Sequence, residues 1–197
     1  MSLNLIMGAR NGANNTREEN DFYATHPDAV RAFLDKLKED RVELNGLIWE
    51  PACGQGHISK VLEEYGYRVY STDLIDRGYG KGGVDFLSTD ESVVPKLYPG
   101  DIMTNPPFKL ATGFVRRAIE IVSPGNKVCM FVKIQFLESD ERRKLFEAYP
   151  PKYVYVYSKR QQCSMNGDFE NLKAKTQCYC WIIWEKYFFG ETTLRWI

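Results

Sequence analysis

Asn105-Pro106-Pro107-Phe108 sets a side-chain amide, two prolines and an aromatic ring side by side. Such a run suits chemistry on a planar amino group. The lone pair of a ring-bound amino nitrogen is delocalised into the ring, so the nitrogen is a poor nucleophile. Two hydrogen-bond acceptors aimed at its two hydrogens favour a pyramidal nitrogen whose lone pair faces an electrophile. The Asn105 amide oxygen and the Pro106 carbonyl are such acceptors. Proline fixes φ, restricts the residue before it and carries no N–H, so the carbonyl direction is held. Phe108 adds a flat face for a base, worth about 1–3 kcal/mol in comparable sites.

A second constellation precedes it. Glu50-Pro51-Ala52-Cys53-Gly54-Gln55-Gly56-His57 follows an apolar run and opens a helical pattern. Glycines there let the backbone turn tightly and approach a ligand with no Cβ in the way. Asp73 ends the next apolar run, 19 residues after Gly54, where an acid can hold both hydroxyls of a ribose. A glycine turn of this kind also serves packing alone or a dehydrogenase. Ser59 only half satisfies the third small residue that a dinucleotide site wants, and a dehydrogenase leaves Asn105–Phe108 idle. His57 reads as a helix-start residue, and Cys53 as a small side chain in a crowded turn. Cys163, Cys178 and Cys180 raise a zinc reading, but no His, Cys and acid set has convincing ligand spacing, so no metal is expected.

Alternating elements position these groups. His26-Pro27-Asp28 opens a helix, and apolar residues recur at helical spacing through Leu37. Strands are expected at Gly46–Glu50, Arg68–Asp73, Asp101–Asn105 and Lys127–Ile134, with Val84-Asp85-Phe86 as a further short one. Helices are expected at His57–Tyr65, Leu110–Val122 and Ser139–Tyr149. Tyr153–Tyr157 and Gln177–Lys186 look like an antiparallel pair joined by a long loop, Lys159 to Thr176. The alternation predicts an α/β fold, a doubly wound, Rossmann-like, seven-stranded and mostly parallel sheet with an antiparallel C-terminal strand pair.

Composition narrows the class. The 197 residues, 44% hydrophobic and 26% charged, fit a single globular domain over 21–197 behind a flexible, Asn-rich lead-in over 1–20. No apolar run is long enough to span a bilayer, and Met1 to Arg10 lack signal-peptide character. Five cysteines in no disulfide pattern point to a reducing cytoplasm. Net charge is zero, yet Glu141 to Lys175 carries a surplus of basic residues, among them Arg142, Arg143, Lys144, Lys159, Arg160, Lys173 and Lys175. A solvated surface explains such a stretch unless it borders the chemistry site.

Taken together, these motifs resemble the amino-group DNA methyltransferases with a Rossmann-like fold, in particular the small N6-adenine enzymes of phages and prophages. The resemblance runs from about Asp21 onward. It implies S-adenosyl-L-methionine (SAM) as cofactor and DNA as partner, with the target base flipped into the site. Asp21 to Pro27, with Tyr23 and Thr25, is similar to the family's segment at the methionine end of SAM. Glu50, Ala52, Gly54 and Gly56 match its glycine motif and Asp73 its ribose acid. Asp85 and Phe86 match the segment that takes the SAM adenine, and Asn105 to Phe108 match the catalytic tetrapeptide. Trp181 to Lys186 resembles the last strand of the phage-type members. The tetrapeptide also occurs in methyltransferases of RNA bases and of protein glutamine, so those substrates stay open. A SAM- or DNA-binding protein without turnover is a further reading. No separate target-recognition domain is visible, which leaves nucleic-acid contact to Lys159–Thr176 and the basic helix with Arg142 and Arg143.

Overall fold

Short apolar runs between glycine and proline form the strands, and the amphipathic segments between them form the helices. The computed structural model describes residues 22–161, 163–165, 167, 169 and 177–197. The lead-in over 1–20, Asp21, Lys173 and Lys175 lie outside the described residues. In chain order the elements are β1 (Tyr23–Thr25), α1 (Pro27–Glu39), β2 (Leu47–Glu50), α2 (His57–Glu64), β3 (Arg68–Ser71), β4 (Asp101–Thr104), α3 (Ala111–Ile121) and β5 (Lys127–Lys133). A 3-10 turn (Ile134–Leu137) then leads to α4 (Asp140–Ala148), β6 (Tyr153–Val156), β7 (Cys163–Met165), β8 (Tyr179–Glu185) and β9 (Thr193–Trp196).

The main sheet has seven strands in the order β3-β2-β4-β5-β8-β6-β9. The first four run parallel. β8 is antiparallel to both β5 and β6, and β9 is parallel to β6. This is the expected doubly wound sheet with its antiparallel C-terminal pair. Its membership differs in one place: Val84–Phe86 is a loop, and β9 supplies the seventh strand. Asp85 Oδ1 accepts from Leu87 N at 2.9 Å, a side-chain turn that bends the chain out of a strand.

Alternate residues of each strand feed two cores. Trp49, Ile102, Val128, Met130, Ile182 and Trp184 pack with α3 and Leu145 of α4 on one face. Ile48, Met103, Cys129, Phe131, Trp181 and Ile183 pack with α1 and α2 on the other. Both faces of the central strands are therefore covered, which is why they read as continuous apolar runs. Among the described residues no helix is long and apolar enough to cross a membrane.

The strand order reverses between β2 and β4. In open α/β sheets the crevice at such a switch point, beyond the carboxyl ends of the strands, takes the ligand. The turn after β2 is the glycine turn, and the tetrapeptide follows β4. Topology thus brings together two motifs 50 positions apart in the chain.

Candidate active site

The glycine turn is built by backbone geometry. Gly54 and Gly56 have φ of 55° and 79°, in the left-handed region that disfavours other residues. Cys53 N donates to Thr72 O at 3.0 Å and Gly56 N to Cys53 O at 2.7 Å, which ties the turn to the segment after β3. A Cβ on Gly54 would collide with the Phe22 ring, and one on Gly56 with the Tyr79 ring. His57 is the first residue of α2, as expected.

Asp73 sits beside the turn. Its Oδ2 accepts from Gly54 N at 2.8 Å and its Oδ1 from Ile75 N at 2.9 Å. Each oxygen keeps a second lone pair, so the carboxylate is held with one acceptor site per oxygen to spare. Leu74, Ile75, Val84, Asp85, Phe86 and Phe114 continue the wall of one cavity of about 310 Å³. The same cavity reaches Tyr23, Thr25, Glu50, Ala52 and Asn105 to Phe108. Of the residues expected to hold a cofactor, only Gly54 and Gly56 do not line it. They shape the turn instead.

Asn105 is where the geometry becomes chemically specific. β4 ends at Thr104 because Pro106 has no N–H with which to continue the ladder. The Asn105 Nδ2 donates to Tyr23 O at 2.8 Å and to Thr25 Oγ1 at 3.0 Å. Turning the amide over would set its oxygen against the Tyr23 carbonyl, two acceptors face to face. The nitrogen is therefore committed to β1. The Oδ1 is left as the acceptor, with no partner among the described residues, in a side chain that lines the cavity. Pro107 O accepts from Leu110 N at 2.9 Å, which carries the chain into α3. Phe108 is half-buried and stacks on Tyr23, with centroids 5.5 Å apart.

The sequence did not reveal what holds β1. Its three residues pair antiparallel with β7, Tyr23 with Met165, Ala24 with Ser164 and Thr25 with Cys163. The segment read as a bare loop over Lys159–Thr176 thus contributes a strand that buttresses the site. Beyond it, Gly167 lies so close to the glycine turn that a Cβ would collide with Gln55 Oε1. Phe169 packs edge-on against His26 and His57, at 4.9 and 5.2 Å. An aromatic and a glycine in a polar segment were the only advance signals. Arg77 is a cavity-lining residue that sequence reasoning missed, and its guanidinium lies 4.3 Å from the Phe22 ring.

Electrostatics mark Glu50. It ends β2 almost fully buried and accepts from Ser59 N at 2.8 Å and from Ser59 Oγ. Burial pushes its carboxyl up to about 8, against a partial downward pull from the Ser59 hydrogen bonds. Burial likewise lifts the Cys53 thiol to about 12, so Cys53 is no nucleophile, and burial lowers the His57 imidazole. A carboxyl whose pKa is raised on folding contributes stability that is complete below its unfolded pKa, about 4.5. That stability is lost as pH rises through 8. Glu50→Gln does not titrate, so its melting temperature should gain on wild type between pH 5 and pH 8.5 in the absence of ligand. Thermal melts at both pH values check this, and an unchanged difference refutes it.

The expected nucleic-acid residues fall in two places. Arg142 and Arg143 lie on α4, where their charges are engaged locally. Arg142 Nη1 donates to Gln135 O at 2.8 Å, with the guanidinium 4.7 Å from the Phe136 ring. Arg143 pairs with Glu147 at 2.9 Å. Lys159 and Arg160 are exposed between β6 and β7. Among the described residues there is no group of three or more metal-binding side chains.

No protein-family model matches the sequence, and no curated protein matches it significantly. Solved structures do match in shape. One is a protein assigned as a class I S-adenosylmethionine-dependent methyltransferase from Listeria monocytogenes, with TM-score 0.58 and 14% identity over 88% of this chain. A second is a protein assigned as an RNA methyltransferase from Pyrococcus horikoshii, with TM-score 0.58 and 15% identity, covering 85% of this chain and 87% of that one. A third is the methyltransferase subunit of a type I restriction-modification system from Streptococcus thermophilus, with TM-score 0.62 and 12% identity over 87% of this chain. The chain has the fold of these methyltransferases. It spans 65% of the length of the Listeria protein and 46% of the Streptococcus one.

Proposed function

We propose that the chain is a SAM-dependent methyltransferase acting on an exocyclic amino nitrogen, with N6 of adenine in DNA as the target. The observation that carries this reading is the committed Asn105 amide, whose oxygen is left as an acceptor beside the Pro106 carbonyl. The cavity fits the cofactor. Asp73 has one acceptor site per oxygen for the two ribose hydroxyls. Asp85 keeps Oδ2 for an adenine amino group, since only Oδ1 is used by Leu87 N. Ile75, Val84 and Phe86 offer apolar surface for the ring, and the remaining length runs to Thr25 and Glu50. When bound, SAM supplies a methyl group activated by its sulfonium.

What the chain itself does is position and polarise. Asn105 Oδ1 and the Pro106 carbonyl take the two amino hydrogens, so the nitrogen pyramidalises toward the cavity. These bonds strengthen as charge develops, which places their effect in the transition state. The methylated nitrogen is acidic and sheds its extra proton to solvent, so no buried base is needed. A base in a duplex must leave the stack to reach Asn105, and Phe108 receives it. The restriction-modification neighbour supports DNA as substrate, and the Pyrococcus neighbour keeps RNA as the second reading.

Methyl-labelled SAM offered with separate DNA, RNA and protein pools tests the reading. Label is expected in DNA, as N6-methyladenine after digestion to nucleosides. Label in RNA or in glutamine moves the substrate while leaving the chemistry intact. No label in any pool overturns the reading.

A further inference from the structure

Among the described residues two permanent cations line the cavity, Arg77 and Lys109. Lys109 is exposed beside Phe108, where water can solvate an ammonium. Arg77 is set differently. It lies on the loop from Asp73 to Val84, which is clamped to β3 and to itself. Lys81 N donates to Ser71 O at 2.9 Å, Asp73 N to Lys81 O at 3.1 Å and Val84 N to Asp73 O at 3.0 Å. The Arg77 side chain is half-buried, and its guanidinium lies 4.3 Å from the centre of the Phe22 ring. That ring fills the space a Cβ on Gly54 would need. Guanidinium, ring and glycine turn thus follow one another in contact. The Arg77 Nε is buried with no hydrogen-bond partner, and among the described residues the guanidinium has no ion pair. The adjacent acid does not serve it: Asp76 Oδ1 accepts from Gly78 N at 2.9 Å. Buried donors are ordinarily paired, and a guanidinium offers a planar fork of donors that fits a carboxylate.

We propose that Arg77 binds the carboxylate of the cofactor's amino-acid tail. The inference rests on the function proposed above, with SAM as the ligand of this cavity. SAM has one anionic group, and it is that carboxylate. The acids of the cavity cannot hold it: Asp73 and Asp85 are assigned to the ribose and the adenine, and Glu50 is buried beneath the turn. A cation must take it, and of the two only Arg77 is in contact with the ring that overlies the glycine turn. Position and energetics agree. The clamped loop and the Phe22 ring already restrict the guanidinium, so little freedom is lost when a ligand engages it. The orphaned Nε gains a partner, whereas a lysine in water would only exchange one set of partners for another. Sequence reading passed over this arginine because its distance from the glycine turn is closed only by the fold of the loop.

The test is calorimetry on the full chain with two ligands, S-adenosylhomocysteine and its decarboxylated analogue, which keeps the amine and has hydrogen in place of the carboxylate. Wild type is expected to prefer S-adenosylhomocysteine by about tenfold, the size of one charge-assisted hydrogen bond. Arg77→Met should bind S-adenosylhomocysteine about tenfold more weakly and the analogue as wild type does, so the preference disappears. Arg77→Lys keeps the charge and should retain part of the preference. An unchanged analogue affinity also shows that the variant is folded and that its cavity is intact. Arg77→Met that weakens both ligands equally overturns the inference, because the arginine then only braces Phe22. A wild-type preference retained in Arg77→Met overturns it as well. Wild-type protein that binds neither ligand removes the cofactor reading itself, an outcome distinct from loss of the Arg77 role alone.

Discussion

Asn105→Ala is expected to lower kcat by about 10²–10³-fold, the range seen when one hydrogen-bonding group is taken from a preorganised transition-state site. The affinity for S-adenosylhomocysteine should stay within about threefold of wild type. The split follows from position. In the proposed mechanism Asn105, at the end of β4, addresses the amine, while Asp73, beyond β3, addresses the cofactor. The hydrogen bonds from Asn105 Nδ2 to Tyr23 O and Thr25 Oγ1 are lost as well. Each is worth about 1 kcal/mol net, so a melting temperature lower by a few degrees should accompany the loss of turnover. Thr25→Val separates the two effects. It leaves the Tyr23 carbonyl as the sole acceptor for the amide, and kcat should fall about tenfold rather than collapse. Because Thr25 acts through Asn105, adding Thr25→Val to Asn105→Ala should cost almost nothing further. Single-turnover rates at saturating SAM check both outcomes. A folded Asn105→Ala protein with near-normal turnover refutes the mechanism.

The candidate site was legible in the sequence because its motifs are local. The glycine turn, the acid that follows it and Asn105–Phe108 each announce themselves within a few residues, and each lies at the cavity. Residues set by long-range pairing were not legible. β1 is three residues long, too short for any periodicity, and it exists because β7 pairs with it across more than a hundred positions. β9 is an exposed strand of mixed polarity, Thr193 to Trp196, and only its ladder to β6 identifies it. Val84–Phe86 misled for the opposite reason. Val84 and Phe86 are apolar because they are buried, Phe86 edge-on to Trp49, and not because they extend a strand. The setting of Asn105 itself was half visible. Its residue type gave the acceptor, whereas the direction of the amide depends on Tyr23 and Thr25, 82 and 80 residues away.

Asp73→Ala should have the complementary signature, a Kd for SAM and S-adenosylhomocysteine raised about 10²-fold with kcat at saturation little changed. Two hydrogen bonds from ribose hydroxyls to a carboxylate are at stake, each worth about 1.5 kcal/mol when one partner is charged, and 3 kcal/mol corresponds to roughly 10²-fold in affinity. The fold adds a second cost. Asp73 also accepts from Gly54 N and Ile75 N, so its removal loosens the glycine turn at the point where the cofactor would lie on it. Asp73→Asn discriminates between the two costs. Its amide keeps one oxygen for the backbone donors but turns the other position into a donor, so part of the turn is retained while charge-assisted binding is lost. Asp73→Asn should therefore melt closer to wild type than Asp73→Ala, yet bind S-adenosylhomocysteine about as poorly. Calorimetry with S-adenosylhomocysteine and thermal melts of both variants separate these contributions. Wild-type affinity in either variant would show that the acid only braces the turn and that the ribose is held elsewhere.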